Sequence, residues 1–127
     1  MFVGLAISVS GQRVSEQALV KAARYKHIEA LKSILAEGVN VSAFVDLKEI
    51  VEQPEKANLV TALHQAAANG RKEMAEQLIA AGAEVNAKDK NGRTPLNWAI
   101  QFKDTEIADR LRKHGGKTGE ELKAAGN

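Results

Sequence analysis

Apolar side chains in the middle of the chain follow a helical period in two short blocks. Leu63, Ala66 and Ala67 stand at positions i, i+3 and i+4, and residues 74–79 (MAEQLI) repeat this spacing. Such spacing places the apolar side chains on one face of a helix. Gly82 follows the second block, where a left-handed C-terminal conformation costs glycine little. The pattern predicts two short helices joined by a turn.

This pair of helices recurs along the chain. The segment TALHQAAANG at 61–70 aligns with TPLNWAIQFK at 94–103, an offset of 33 residues. A third copy lies upstream at an offset of 44, where GVNVSA at 38–43 aligns with GAEVNA at 82–87. The larger offset is 33 plus an insertion of 11 residues after Ala43. Because internal repeats of this period are typical of solenoids, we predict an all-α repeat solenoid of about three helix-turn-helix units.

Turn and cap residues mark the ends of each unit. Thr94 is a suitable N-cap, and Pro95 suits the first helical position, which has no partner for its N–H. Thr61 caps the corresponding helix one repeat earlier. Asp89–Gly92 (DKNG) is typical of a tight turn. Each unit is therefore predicted to contain two helices followed by a hairpin-like loop, which we call a finger.

These residues resemble the ankyrin repeat family. Its pattern of Thr-Pro-Leu-His-x-Ala-Ala, a second helix and Gly-Ala-x-Val-Asn-Ala stands here as TALHQAA…QLIAAGAEVNA and again as TPLNWAI. The resemblance covers roughly residues 15–117 and implies the family's fold and a non-catalytic role in protein binding. Asn97 replaces the usual His, Lys26 and Lys103 replace the usual Gly between helices, and the first copy lacks Thr-Pro-Leu-His. The KHGGKT segment at 113–118 resembles that of small bacterial members.

The whole chain, 1–127, is assigned to a single domain, since its length fits one domain. A C-terminal cap helix is predicted because Thr118 and Glu121 form a capping box. The predicted parts are an N-terminal arm or leader remnant (1–14), repeat 1 (15–43), an inserted finger (44–60), repeat 2 (61–93), repeat 3 (94–117) and the C-terminal cap (118–127).

Two interpretations of the N-terminal run stay open. Met1–Ile7 (MFVGLAI) is apolar and is followed by small residues. It is either the end of a leader that starts upstream or an arm that packs on the first helix. The lack of a basic residue before the run favours the arm. The expected location is cytoplasmic, or periplasmic or secreted if the run ends a leader.

The inserted finger is predicted to carry a short helix at 47–53. Asp46 and Glu49 form a capping box before it, and Pro54 ends it. The insertion is either an added recognition element, since loops often carry binding function, or a tolerated loop that packs on repeat 1.

Several kinds of catalytic and metal site are excluded by the sequence. The chain has no cysteine, which excludes disulfides, zinc–thiolate sites and cysteine nucleophiles. Gly115–Thr118 (GGKT) resembles the end of a phosphate-binding loop, but the earlier glycine and the preceding strand are missing. His27, His64 and His114 lack metal-ligand spacing, and no Ser–His–acid pattern is present. The resemblance gives His64 a structural role. We predict no enzymatic activity, no cofactor and no metal.

The charge pattern favours a protein partner over a nucleic acid. The net charge is +2, and residues 88–117 hold eight basic and four acidic side chains, a local charge of 8 − 4 = +4. A nucleic-acid surface would carry a stronger bias with interleaved aromatic residues. The modest basic excess favours an acidic partner surface. No apolar stretch is long enough to span a membrane, and a monomer is expected.

The family resemblance implies a concave groove, built from the first helices and the fingers, that binds a partner protein. It gathers Tyr25, Trp98 and Phe102, three of the five aromatic residues, and aromatic residues and Arg often dominate binding. Alternatively, Trp98 or Phe102 only packs on the neighbouring finger. The predicted binding residues are Arg24, Tyr25, Gln65, Asn69, Lys88, Lys90, Asn91, Arg93, Trp98, Gln101 and Phe102. The alternative function is a small-ligand or enzyme role that uses residues 44–60 or Gly115–Thr118.

Overall fold

Helices make up most of the described chain. The structure is a computed structural model that describes residues 9–46 and 59–126. Within these ranges, the predicted all-α repeat solenoid is confirmed. In chain order the elements are α1 (Val9–Tyr25), α2 (Ile28–Ala36), β1 (Val45–Asp46), β2 (Leu59–Val60), α3 (Ala62–Ala68), α4 (Lys72–Ala80), α5 (Pro95–Gln101), α6 (Thr105–Lys113) and α7 (Gly119–Ala124).

The helices pair within each repeat and stack between repeats. α1 packs on α2, α3 on α4 and α5 on α6. The first helices of the repeats, α1, α3 and α5, also lie side by side, and α2, α4 and α6 form the neighbouring layer. Equivalent positions of successive first helices are therefore adjacent, and each set of three forms a row across the solenoid.

Alanine allows the first helices to approach closely. Ala23, Ala67 and Ala99 are fully buried, and Ala22 and Ala66 are buried beside them. Leucines from both layers fill the remaining space, and each fully buried leucine contributes about 2 kcal/mol. The core therefore needs few aromatic residues, which explains their low number in this chain.

The turn between the two helices of each repeat requires a left-handed backbone. Lys26, Gly70 and Lys103 occupy this position in the three repeats, with φ of 63°, 67° and 60°. Glycine adopts this conformation freely, whereas a residue with a Cβ is strained by about 1 kcal/mol. The two lysines that depart from the family pattern thus keep the same turn at some cost.

The first helix begins earlier than the sequence indicated. α1 includes residues 9–14, which we had assigned to an arm or leader remnant. No proline interrupts this segment, so the helix of repeat 1 continues through it. The apolar run Met1–Ile7 lies outside the described residues.

The ends of the inserted finger meet in a short antiparallel pair of strands. Val45 pairs with Val60 and Asp46 with Leu59, and both valines are fully buried in the core. Asp46 is thus a strand residue, while the predicted helix at 47–53 lies outside the described residues. The insertion therefore leaves and re-enters the repeat at one anchored point.

Side-chain hydrogen bonds link each finger to the next. The Ser42 hydroxyl accepts from the Glu84 N–H at 2.8 Å. Asn86 donates from Nδ2 to the Gly115 carbonyl at 3.1 Å and accepts from the Lys117 N–H at 2.8 Å. These contacts fix the spacing between neighbouring repeats.

The predicted capping box of the last helix is confirmed. The Thr118 hydroxyl accepts from the Glu121 N–H, and the Glu121 carboxylate accepts from the Thr118 N–H. Leu122 is buried, with 9% of its surface exposed, whereas Ala125 is exposed. Asn97 Oδ1 accepts from the Gly119 N–H at 2.8 Å. α7 is therefore held to repeat 3 mainly through its N-terminus.

We expect the substitution Gly119→Ala to loosen this cap. A Cβ at position 119 would overlap the Gly92 carbonyl oxygen, which belongs to the finger backbone and cannot easily move. Such overpacking costs about 1–3 kcal/mol. Thermal unfolding should show a lower midpoint for Gly119→Ala and for truncation after Gly116. Lys123→Ala, on the exposed side of the same helix, is the matched control and should leave the midpoint unchanged. Unchanged midpoints for Gly119→Ala and the truncation would contradict the cap assignment.

Candidate functional site

The C-terminal ends of the first helices form one row of the groove surface. Tyr25, Asn69 and Phe102 hold equivalent positions in the three repeats. Tyr25 is 43% exposed and Phe102 is 56% exposed. The Asn69 side chain donates to the Gln65 carbonyl at 2.8 Å and so caps α3. The row presents two exposed aromatic rings with a polar residue between them.

Gln65, one of the predicted contact residues, is fully buried. Its Oε1 accepts from Arg24 Nη1 at 2.9 Å, whereas its Nε2 has no hydrogen-bond partner among the described residues. Its position in the repeat is that of Lys21 and Trp98, neither of which is buried. The prediction of Gln65 as a direct contact is therefore wrong, because the side chain lies beneath the surface and supports Arg24.

Arg24 is held on two sides. Besides the bond to Gln65, its guanidinium carbon lies 5.6 Å from the centre of the Tyr25 ring. The Arg24 carbonyl accepts from Arg71 Nη2 at 3.2 Å, which ties the end of α1 to repeat 2. Arg24 is thus a half-buried cation with a defined orientation at the surface of the groove.

Trp98 combines a partly exposed ring with a structural contact. Its indole N–H donates to Asp89 Oδ2 at 3.1 Å, and its ring meets the His64 ring edge to face at 5.6 Å. Trp98 therefore packs on the neighbouring finger, which is the alternative given for it in the sequence analysis. Phe102 makes no ring contact of this kind within the described residues, and it remains the more accessible aromatic side chain.

Asp89 organises the finger and was missed by the sequence analysis as a site residue. It is 5% exposed, and its Oδ1 accepts from the N–H groups of Asn91 and Arg93, both at 2.9 Å. Its position at the start of the DKNG turn was the available signal, because Asp commonly bonds to the backbone of its own turn. Lys88, Lys90 and Asn91 are exposed at the tip, and Arg93 is half-buried.

His64 connects two repeats, as the family resemblance implied. Its Nε2 lies 2.9 Å from the Arg93 carbonyl, which can only accept, so Nε2 carries the proton. Nδ1 then accepts from the Thr61 N–H at 3.2 Å. Burial lowers the pKa of His64, because the imidazolium loses its hydration, and this outweighs the contact with the Arg93 carbonyl. The ring is a neutral structural bridge.

Gly115–Thr118 does not form a phosphate cradle. The N–H groups of residues 115–119 donate to Arg112 O, Leu111 O, Asn86 Oδ1, Glu121 Oε1 and Asn97 Oδ1 in that order. A phosphate-binding loop needs these donors for the ligand. Across residues 9–46 and 59–126, no group of three or more His, Asp or Glu side chains could hold a metal ion. None of the described helices is long and apolar enough to cross a membrane.

Comparison with known proteins gives a family and several relatives. The family model for ankyrin repeats, in three copies, matches residues 19–121. The mouse RelA-associated inhibitor is 45% identical over 56 residues, which are 44% of this chain and 7% of that protein. The Arabidopsis thaliana serine/threonine-protein kinase 12 is 33% identical over 90 residues, 71% of this chain and 17% of the kinase.

The human ARF GTPase-activating protein GIT1 is 34% identical over 103 residues, 81% of this chain and 12% of that protein. The chain therefore spans less than a fifth of each of these relatives. They come from mammals and a plant, and they do not support the bacterial origin suggested by the segment at 113–118.

The burial of His64 predicts a pH dependence of stability. In the unfolded chain the ring is protonated below about pH 6.5, whereas the folded ring stays neutral to lower pH because its pKa is lowered. Stability contributed by the neutral ring is therefore complete above about pH 6.5 and is lost as the pH falls below it.

We expect His64→Asn, which copies Asn97 of repeat 3, to flatten this dependence, while the loss of the Arg93 contact costs about 1–2 kcal/mol at neutral pH. Urea unfolding between pH 5 and 8 measures both effects, with His114→Asn at an exposed position as the control. An equally steep loss of stability in His64→Asn would contradict the assignment.

Proposed function

Because the chain belongs to the ankyrin repeat family, whose repeats are protein–protein interaction modules, we propose that it binds one partner protein through the described groove without catalysing a reaction. The observation that carries the proposal is the row that contains Tyr25 and Phe102. These two large exposed side chains lie at equivalent ends of the first helices of repeats 1 and 3. Exposed aromatic side chains of this kind commonly dominate binding energy. The chain would act as a monomer whose groove is shaped by the three repeats.

The finger extends the proposed surface towards its basic tip. Lys88, Lys90 and Asn91 lie on the exposed part of the finger, and Asp89 holds its backbone in place. A rigid finger supports binding because little conformational freedom is lost when the partner arrives. Gln101, one residue before Phe102, adds an exposed polar group to the same end of α5.

No specific observation favours the alternative of a small-ligand or enzyme role. The N–H groups of Gly115–Thr118 are bonded within the protein. The central part of the 44–60 insertion lies outside the described residues. The kinase and GTPase-activating relatives match over too small a part of their length to transfer an activity.

Phe102→Ala should weaken capture of the partner without changing the fold. The partner is first identified by pull-down from the source cells with mass spectrometry, and its affinity is then measured with purified proteins. We expect a loss of about tenfold, since an exposed aromatic anchor is worth about 1–2 kcal/mol. Trp98→Ala is a less specific test, because it also removes the bond to Asp89.

Ile100→Ala is the matched control. Ile100 is 49% exposed in α5, and a separation of two residues places it on a different face from Phe102, the C-cap of that helix. Its substitution should leave the affinity unchanged. Equal affinities of wild type and Phe102→Ala, with unchanged unfolding midpoints, would rule out the groove as the binding surface.

A further inference from the structure

Arg24 is a half-buried cation of the groove and makes no ion pair with a carboxylate among the described residues. The cations of the finger have acids close by. Asp89 is buried within the same turn, and Glu120, exposed on α7, lines one surface pocket with Lys88 and Asn91. A carboxylate of the partner would therefore complement Arg24 rather than the finger.

Arg24 is the cation with the best-defined orientation. One guanidinium nitrogen donates to Gln65 at 2.9 Å, and the guanidinium carbon lies over the Tyr25 ring, 5.6 Å from its centre. Within the described residues the guanidinium makes no ion pair with a carboxylate. An arginine held in this way loses little conformational freedom when it binds, and its remaining edge suits a carboxylate.

The orientation of Gln65 has a cost that points to this role. The arginine side chain has only hydrogen-bond donors, so Gln65 must present its oxygen to Arg24. Its Nε2 is then buried, with no hydrogen-bond acceptor among the described residues. A buried donor without an acceptor destabilises the fold. The pair is therefore unfavourable for stability alone, and its benefit is the fixed position of the guanidinium at the surface.

We propose that the partner segment is acidic and extended, and that one of its carboxylates binds to Arg24 while apolar side chains contact Tyr25 and Phe102. This inference rests on the proposed function and specifies the chemistry of the partner. Neighbouring helices are about 8–10 Å apart, so the two rings, two helices apart, are separated by about 16–20 Å. An extended chain covers this span in about six residues.

Two synthetic peptides test the proposal. The acidic probe is Phe-Ser-Glu-Ser-Glu-Ser-Phe, in which the Phe and Glu side chains lie on one face of an extended chain, and the neutral probe has Gln in place of each Glu. We expect the acidic peptide to bind wild type about tenfold more tightly than the neutral peptide at low salt, by titration calorimetry or NMR. Arg24→Gln should remove most of this preference. Lys113→Gln, the same charge change at an exposed site on α6, should retain it.

A second variant tests the positioning role of Gln65. Gln65→Leu removes the orphaned donor, so the unfolding midpoint should not fall, yet the preference for the acidic peptide should decrease several-fold because Arg24 loses its support. A purely structural Gln65 would leave this preference unchanged.

Several outcomes would overturn the proposal. These are equal affinities for the two peptides, no binding of the acidic peptide at about 1 mM, persistence of the preference in Arg24→Gln, and tighter Arg24-dependent binding of a single-stranded oligothymidine. The proposed function fails separately, if Phe102→Ala leaves capture of the natural partner unchanged. If capture depends on Phe102 but Arg24→Gln does not change the preference for the acidic peptide, only the inference of an acidic partner segment is contradicted.

Discussion

The capping box that begins each first helix from the second repeat onward also holds the next unit of the solenoid. In repeat 2 the Thr61 capping box includes His64, whose other ring nitrogen donates to the Arg93 carbonyl. In repeat 3 the Thr94 hydroxyl donates to the Lys117 carbonyl, and Asn97 accepts from Gly119. The capping box thus provides hydrogen-bond partners for N–H groups at the start of the helix that have none within it. It also sets the position of the following segment.

The position of the finger follows from the capping box that contains His64. The Arg93 carbonyl is fixed by His64, and the Arg93 N–H is fixed by Asp89, so the finger is held at its base from both sides. Asp89 in turn receives the indole N–H of Trp98. Because the finger is bonded to α3 through His64 and to α5 through Trp98, its backbone is held beside the N-terminal turns of these two helices.

Local rules predicted the repeats well, and contacts between repeats were beyond them. The helical spacing of apolar residues, the threonine caps and the capping box at Thr118 depend on residues within four positions of one another. By contrast, Gln65 accepts a hydrogen bond from Arg24, 41 residues away, and Asp89 accepts one from Trp98 in the next repeat. A pattern that repeats in sequence assigns equivalent residues to one surface, yet Lys21, Gln65 and Trp98 at one such position are exposed, buried and half-buried.

The residue at the third helical position shows how burial selects chemistry along the stack. His64 is buried and neutral, Asn97 is half-buried, and Glu121 is exposed and charged, although all three close a capping box with a threonine. The Thr118 N–H lowers the pKa of Glu121 by stabilising its carboxylate, which water also solvates. A carboxylate at the position of His64 would lose that water and repel the Arg93 carbonyl. The capping function is therefore constant, while the side chain that provides it changes with its access to solvent.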